Sequence, residues 1–255
     1  MDFLANYFGS LNPMSFLSAL PGNIAQGIIW GLMGLGVFLT FKLLNFADLS
    51  VDGSFATGGA VTAVMLINGC PVWATIIVAI LAGLAAGLVT GLLHTLLGIP
   101  DILAGILTQI ALYSINLNIM GKSNLPLSYR NYTLVVSASN INMAILVGLG
   151  ICAIVIAAMY WYSGTEQGST IRSTGSNPAM SKAQGININF TKVIALALSN
   201  GLVALSGSLF AQYQGFADIN MGRGAIVIGL AAVIIGEVLG EAIFRKHMNF
   251  IIRMV

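Results

Sequence analysis

The stretch Val72–Leu97, VWATIIVAILAGLAAGLVTGLLHTLL, contains no charged residue, and none occurs anywhere between Asp52 and Asp101. About 20 consecutive apolar residues are enough for a helix to cross the hydrocarbon core of a bilayer. Small residues recur within the stretch at every fourth position, at Ala79, Gly83, Gly87 and Gly91. Such a stripe lets two helix backbones approach closely. The stretch therefore predicts a membrane-spanning helix, and the stripe favours a crossing inside the subunit over a dimer seam.

The composition of the chain extends this assignment. Hydrophobic residues make up 57% of the chain and charged residues 7%, whereas about 25% of the residues in an ordinary soluble domain are charged. We therefore predict an all-α, polytopic membrane bundle. The net charge of +2 gives no reason to expect nucleic acid as a partner. Cys70 and Cys152 predict neither a disulfide framework nor a metal site, and His94 is expected to be a structural imidazole.

Seven apolar runs are candidate membrane segments: 24–44, 53–69, 72–97, 102–121, 141–163, 190–213 and 224–240. They predict a single transmembrane domain over residues 21–255. Residues 1–20 are expected to form an interfacial segment, because apolar residues recur there at helical spacing. These residues are Phe3, Leu4, Tyr7, Phe8 and Leu11.

The basic residues are divided unequally between the two sides that these segments define. Seven lie on the side reached after the first span, namely Lys42, Arg172, Lys182, Lys192, Arg245, Lys246 and Arg253. Three lie on the opposite side, namely Lys122, Arg130 and Arg223. Cytoplasmic loops carry an excess of Lys and Arg. The N-terminus is therefore predicted to be extracytoplasmic, and residues 165–189 to be cytoplasmic.

Residues 165–189 form the one sizeable polar block between apolar segments. Asn177 and Pro178 suit the N-cap and the first position of a helix, and Gly185 suits its C-terminal stop. The pattern predicts a helix of about two turns, which is marginal on its own in water. Met180 and Ala183 share one face of that helix and are the expected contact with a partner. An ordinary cytoplasmic loop is the alternative interpretation.

A short motif occurs twice, ahead of the two shorter apolar segments. Phe46-Ala47-Asp48-Leu49-Ser50-Val51 and Phe216-Ala217-Asp218-Ile219-Asn220-Met221 share their first three residues and continue with similar ones. The predicted topology gives the two copies opposite directions. Short, interrupted segments at corresponding positions of two inverted halves indicate discontinuous helices beside a substrate pathway. We therefore predict inverted repeats with short discontinuous helices.

The polar residues of the repeats have two possible roles. Asp48 and Asp218 each precede an apolar helix, where a carboxylate can act as an N-cap, a role in which Asn substitutes well. Alternatively they line the pathway, because ionisable groups at membrane depth usually mark one. The predicted pathway residues are Phe46, Asp48, Ser50, Asp52, Ser54, Phe216, Asp218 and Asn220. None of them is predicted to be catalytic or to bind a metal.

Two motifs resemble the permease subunits of ABC importers of the branched-chain amino acid and ribose type. The first is Asp48-Leu49-Ser50-Val51, and the second is Thr165-x-x-Gly168-x-x-Ile171-Arg172-x-x-Gly175-x-Asn177 followed by Gly185-Ile186-Asn187. The similarity covers roughly residues 24–240. Five further elements resemble the branch associated with tryptophan or tyrosine uptake: Ile99-Pro100, Ile119-Met120-Gly121, Leu198-Ser199-Asn200-Gly201, Gly215-Phe216-Ala217-Asp218 and Ile235-Gly236-Glu237-Val238.

The resemblance implies a function without bond-breaking chemistry. Residues 177–185 would be the coupling helix that docks on a separate ATPase subunit, so that ATP binds to the partner and the chain needs no cofactor. The resemblance further implies a homodimer of permeases in the bacterial plasma membrane, and an extracytoplasmic substrate-binding protein or lipoprotein that delivers an amino acid. It also implies additional helices after Val255, and Asp52-Gly53 departs from the sugar-permease pattern.

A secondary transporter is the rival prediction. In such a protein, intramembrane carboxylates, here Asp48, Asp52, Asp101 and Asp218, would relay protons or sodium. The polar block at 165–189 distinguishes the two classes, because a self-sufficient transporter needs no cytoplasmic docking helix. An ATP-driven importer is therefore the favoured prediction.

Overall fold

The computed structural model describes residues 13–127 and 134–244. Within these ranges the chain is almost entirely helical, as predicted. Its helices are α1 (Pro13–Val37), followed by a π-helical turn (Phe38–Leu43), then α2 (Val51–Ile67), α3 (Val72–Leu96), α4 (Asp101–Met120), α5 (Ile141–Ser163), α6 (Glu166–Ser176), α7 (Pro178–Ala183), α8 (Ile188–Gln214) and α9 (Ala225–Phe244). Two short strands, β1 (Asn124–Pro126) and β2 (Phe216–Asp218), complete the described part.

Five helical segments of the described ranges are long and apolar enough to cross a membrane. They are Leu17–Leu43, Val72–Leu96, Asp101–Met120, Ile141–Ser163 and Ile188–Gln214. Two others, Val51–Ile67 and Ala225–Gly240, are apolar but shorter. These are the two segments that follow the repeated motif, so the prediction of a membrane bundle with short helices is confirmed.

The first span begins earlier than the sequence suggested. Helix α1 starts at Pro13 and has Pro21 inside it, so the domain boundary placed between residues 20 and 21 falls within a helix. Apolar residues continue upstream of residue 24, and the first candidate span therefore begins at Leu17. The expected interfacial residues Phe3 to Leu11 lie outside the described residues.

Helix α8 is the centre of the bundle and is crossed closely by α3. A side chain at Gly83 would meet the Asn200 carbonyl, and one at Gly87 would meet the Leu196 carbonyl. Gly91 likewise abuts Val193. The small-residue stripe is therefore a crossing within the subunit, as predicted.

Hydrogen bonds tie α1 to α8 in an antiparallel arrangement. The Ser199 hydroxyl donates to the Gly36 carbonyl at 2.7 Å, and the Ser206 hydroxyl donates to the Ile29 carbonyl at 2.6 Å. Each bond satisfies a hydroxyl that water cannot reach. The later residue of α8 pairs with the earlier residue of α1, so the two helices cross the bilayer in opposite directions.

The two short helices also run in opposite directions. Helix α2 is parallel to α8, because Ser50 bonds to Asn200 and Thr62 bonds to Ser208. Helix α9 is parallel to α1, because Gly229 lies against Val37 while Glu237 forms a 2.8 Å ion pair with Lys42. Since α1 and α8 are antiparallel, α2 and α9 are too. This is the inverted pair that the repeated motif predicted.

A small antiparallel ribbon was not anticipated by the all-α prediction. Strands β1 and β2 pair with Asn124 opposite Asp218 and Pro126 opposite Phe216. Further backbone bonds extend the pairing, from Leu127 N to the Gly215 carbonyl at 2.7 Å and from Ile219 N to the Ser123 carbonyl at 3.0 Å. The ribbon joins two distant loops, and no local pattern in either loop reveals such a contact.

Replacing Gly87 with Ala should destabilise the bundle, because the new methyl group has no space beside the Leu196 carbonyl. Overpacking of this kind costs about 1–3 kcal/mol. Gly150 of α5 is the matched control, since a methyl group there would contact nothing within 4 Å. We expect thermal unfolding in detergent to occur at a lower temperature for G87A but not for G150A. Equal melting temperatures for the two variants would show that α3 and α8 can move apart at Gly87 without loss of stability.

Candidate substrate pathway and coupling segment

The short helices α2 and α9 begin beside each other in the middle of the membrane. Residue Ser50, just before α2, contacts Asn200 near the midpoint of the spanning helix α8. Asp52 in the first turn of α2 accepts hydrogen bonds from Gly224 N at 3.0 Å and Ile226 N at 2.9 Å, at the start of α9. The first N–H groups of a helix lack partners inside it, and hydrocarbon supplies none. Asp52 therefore caps α9 from a neighbouring helix.

Asp48 lies in a closed polar cluster inside the subunit. One of its carboxylate oxygens accepts from Ser50 N at 2.9 Å, and the other accepts from the Asn200 side-chain amide at 2.7 Å. The Ser50 hydroxyl also reaches the Asn200 amide oxygen at 3.1 Å. Asp48 and Ser50 are both buried. The cluster thus fixes the start of α2 to α8, and it does not border the open cavity described below.

Asp218 repeats the local geometry of Asp48 at the other end of the inverted pair. Its carboxylate accepts from Asn220 N at 2.7 Å, as Asp48 does from Ser50 N, and it also accepts from the Asn124 amide at 3.3 Å. Neither aspartate is an N-cap, which corrects one of the two roles predicted for them. Ser50 occupies the position before α2, and Asp218 precedes Ala225, the first residue of α9, by several residues.

A cavity of about 260 Å³ opens beside the junction of the short helices. It is lined by Asp52, Gly53, Ala56, Gln109, Ile110, Tyr113, Asn116, Ile219 and Arg223. Of the predicted pathway residues, Asp52 lies here. Asn116 is fully buried, and neither atom of its side-chain amide has a hydrogen-bond partner.

The remaining predicted pathway residues lie elsewhere. Phe46 is buried edge-on against His94, with ring centroids 5.1 Å apart, and Ser54 is buried without a partner for its hydroxyl. Phe216 and Asn220 are exposed in and after β2. The predicted pathway residues are therefore distributed over a buried cluster, a cavity and an exposed loop. His94 itself bonds to Lys192 at 2.9 Å and to the Ile99 carbonyl at 2.9 Å, as a structural imidazole does.

Sequence reasoning missed the polar residues of α4 that line the cavity. Gln109, Tyr113 and Asn116 are spaced by four and three positions, so they share one helix face. This polar stripe within an apolar span is the signal that could have identified them. Arg223 was used only in the comparison of basic residues between the two sides, because no local sequence pattern shows that its loop packs against α2.

The short helix predicted within residues 165–189 has the predicted form. Helix α7 comprises Pro178–Ala183, with Pro178 in its first turn. The Asn177 side chain caps it by accepting from Met180 N at 3.1 Å, and Gly185 ends it in the left-handed conformation with φ of 84°. Met180 is 58% exposed, and Ala183 is exposed too.

Helix α6 fixes α7 to the membrane bundle. Gly175 lies directly against the Leu43 carbonyl, where no side chain would fit, and Gly168 lies against Tyr162 and Ser163 in the same way. The Arg172 guanidinium donates to the Ser163 carbonyl at 2.9 Å. These contacts place α6 beside the end of the π-helical turn, immediately before the chain enters the loop that leads to α2.

The family model for the permease component of branched-chain amino acid transport systems matches residues 22–244. The chain belongs to this permease family. It is 46% identical over 224 residues to the tyrosine transport system permease protein of Clostridioides difficile (strain R20291), across 88% of the chain and 74% of that protein. The resemblance noted in the sequence is thereby confirmed.

More distant relatives of the permease are named for other solutes. The D-allose transport system permease protein AlsC of Escherichia coli (strain K12) is 28% identical, across 90% of the chain and 71% of that protein. The ribose import permease protein RbsC of Haemophilus influenzae is 29% identical, across 79% of the chain and 64% of that protein. No solved structure matches the permease. The permease is a multi-pass membrane protein and a translocation component of a transport system.

Asparagine should act differently at the two aspartates of the permease. Both carboxylate oxygens of Asp48 accept hydrogen bonds from partners that are fixed in the core. In D48N the new NH₂ group would face one of these donors, which should lower the free energy of unfolding by about 1–3 kcal/mol. D218N should be nearly neutral, because it keeps the bond to Asn220 N while the exposed Asn124 amide can turn over.

Thermal unfolding of the purified permease measures this difference. We expect a lower melting temperature for D48N and an unchanged one for D218N. A lower melting temperature for D218N than for D48N would contradict this prediction. Unchanged melting temperatures for both variants would mean that backbone contacts alone hold the two turns in place.

Proposed function

We propose that the permease is the membrane subunit of an ATP-driven importer that carries an amino acid of the aromatic type into the cell. The 46% identity to a protein named as a tyrosine transport permease supports this choice of substrate over a sugar, because the relatives named for allose and ribose are 28% and 29% identical. ATP would bind to a separate ATPase subunit, and an extracytoplasmic binding protein would deliver the substrate.

Helix α7 is the observation that carries this proposal. A helix of six residues has little stability of its own in water, yet this one is capped at both ends and attached to the bundle through α6. Met180 and Ala183 form an exposed apolar face on this helix, and a protein partner would account for it. Docking on the ATPase would bury this face, and the motion of the ATPase would then be transmitted to the bundle.

The distribution of charges supports one orientation of the permease in the membrane. The ion pair between Lys42 and Glu237 places the far end of α9 on the side reached after the first span. The sequence assigns seven of the ten basic residues to that side. With that side in the cytoplasm of a bacterial plasma membrane, the N-terminus would be extracytoplasmic and α7 would be cytoplasmic.

A second copy of the permease would complete the pathway. The cavity at Asp52 opens on a face where Ile110 and Tyr113 of α4 are exposed. Charged groups at membrane depth avoid lipid and face protein or water-filled space. Pairing two copies through this face would enclose both cavities between them.

The charge of the α7 face should decide whether the transporter assembles. Ala183→Asp would bury an unpaired carboxylate against the ATPase, so we expect loss of ATPase co-purification and of uptake while membrane insertion is retained. Ser169→Asp is the matched control, because it adds the same charge at an exposed position of α6. The measurement is pull-down from membranes, followed by uptake in proteoliposomes that contain the permease, the ATPase and the binding protein.

Two results would refute parts of this proposal. Wild-type co-purification and uptake in A183D would exclude α7 as the docking element. Uptake by the permease alone, driven by a proton or sodium gradient without ATP, would establish the rival secondary transporter instead.

Thiol labelling tests the orientation separately. Once Cys70 and Cys152 have been replaced, a cysteine introduced by Ala183→Cys should react with an impermeant maleimide only in inside-out vesicles. Ser123→Cys, before the ribbon, should react in intact cells, because Ser123 is exposed on the opposite side. Labelling of A183C in intact cells would show that the topology is the reverse of the proposed one and would exclude docking of α7 on a cytoplasmic ATPase.

A further inference from the structure

The cavity beside α2 contains two opposite charges that do not pair with each other. Asp52 and Arg223 both line it, yet within the described residues no contact of salt-bridge length joins their side chains. Charges at membrane depth are normally neutralised by a partner, because the low dielectric makes isolated ones unfavourable. The separation of these two leaves space for a ligand that carries the complementary charges.

Asp52 retains the capacity to bind such a ligand. Each of its carboxylate oxygens accepts one backbone N–H from the start of α9 and has a second lone pair available. The side chain is half-buried and borders the cavity, so its negative charge faces the open space.

Asn116 is the second, independent sign of a ligand. Its amide is fully buried, lines the cavity, and has no hydrogen-bond partner on either its oxygen or its nitrogen. A buried amide without partners is destabilising, and a ligand bound in the cavity would relieve that cost. It can offer one group that donates and one that accepts.

We propose that this cavity binds the zwitterionic head group of an amino acid during its passage through the permease. The substrate ammonium group binds to Asp52, its carboxylate binds to Arg223, and Asn116 hydrogen-bonds to the head group between them. Ile110 and Tyr113 contact the substrate side chain. The volume of about 260 Å³ fits a single small solute. This inference rests on the proposed function as an amino-acid importer and adds the recognition step within the membrane.

The chemistry of the cavity disfavours two simpler ligands. A neutral sugar can hydrogen-bond to Asp52 and Arg223 but leaves both of their charges uncompensated. A metal cation would bind to Asp52 but would be repelled by Arg223, which lines the same space. A solute with both charges close together satisfies all the polar groups at once.

Saturation-transfer NMR on the purified permease in detergent tests this directly, because the method detects weak and transient binding. The three probes are tyrosine, tyramine, which lacks the carboxylate, and 3-(4-hydroxyphenyl)propionate, which lacks the ammonium group. We expect a signal for tyrosine and one weaker by about tenfold for each of the other two, since each loses a charge-assisted bond. Equal signals from all three probes, or none from tyrosine or from any other amino acid, would overturn the proposal.

Variants locate the site. Arg223→Gln should reduce the tyrosine signal by about tenfold, and Arg223→Lys should retain most of it. Lys122→Gln is the matched control, because Lys122 is an exposed cation on the same side that does not line the cavity. Asn116→Leu should reduce binding while the melting temperature stays equal or rises, since it removes an unpartnered amide. Unchanged binding in both R223Q and N116L would place the ligand elsewhere.

Uptake assays separate a failure of this inference from a failure of the proposed function. ATP-driven uptake of tyrosine that is equal in wild type and R223Q leaves the importer intact and refutes the zwitterion site. No uptake of tyrosine, but uptake of another amino acid that depends on Arg223, retains the site and refutes the aromatic substrate.

Discussion

Backbone N–H groups at the centre of a membrane must be satisfied by the protein itself. Helices α2 and α9 both begin at that depth, so each presents unpaired donors and the positive end of its dipole where no water is guaranteed. Asp52 resolves this for α9 by accepting two backbone bonds across the junction. This contact holds the starts of α2 and α9 together beside the cavity.

The inverted halves share local structure and differ in surroundings. Asp48 and Asp218 make the same turn, each accepting from the backbone N–H two residues later. Asp48 is enclosed against Asn200 of α8, whereas Asp218 lies in the ribbon formed with Asn124–Pro126. One copy therefore anchors its half-helix to the core, and the other is attached to a loop. The two halves therefore share a turn, and the partners of that turn differ between them.

Much of this fold could be predicted from local patterns. The apolar runs gave the spans, the stripe at Gly83 and Gly87 gave the helix crossing, and Asn177 with Gly185 gave the ends of α7. The capping of α9 by Asp52 could not be predicted, because its partners lie more than 170 positions away in the chain. Similarly, the polar face of α4 can be recognised as part of a site only when the fold brings Arg223 beside it. Local signals specify elements, while sites built from several elements require their packing.

The close contact between Gly175 and the Leu43 carbonyl gives the transporter a short mechanical linkage. A displacement of α7 would move α6, which contacts Leu43 through backbone atoms. Leu43 is followed by the loop that leads to Asp48 and α2. Asn45 in that loop has a φ of 55°, an unusual conformation that suits a pivot. If the proposed ATPase docks on α7, its motion would act on the start of α2 without having to bend the long helix α8 at the centre of the bundle.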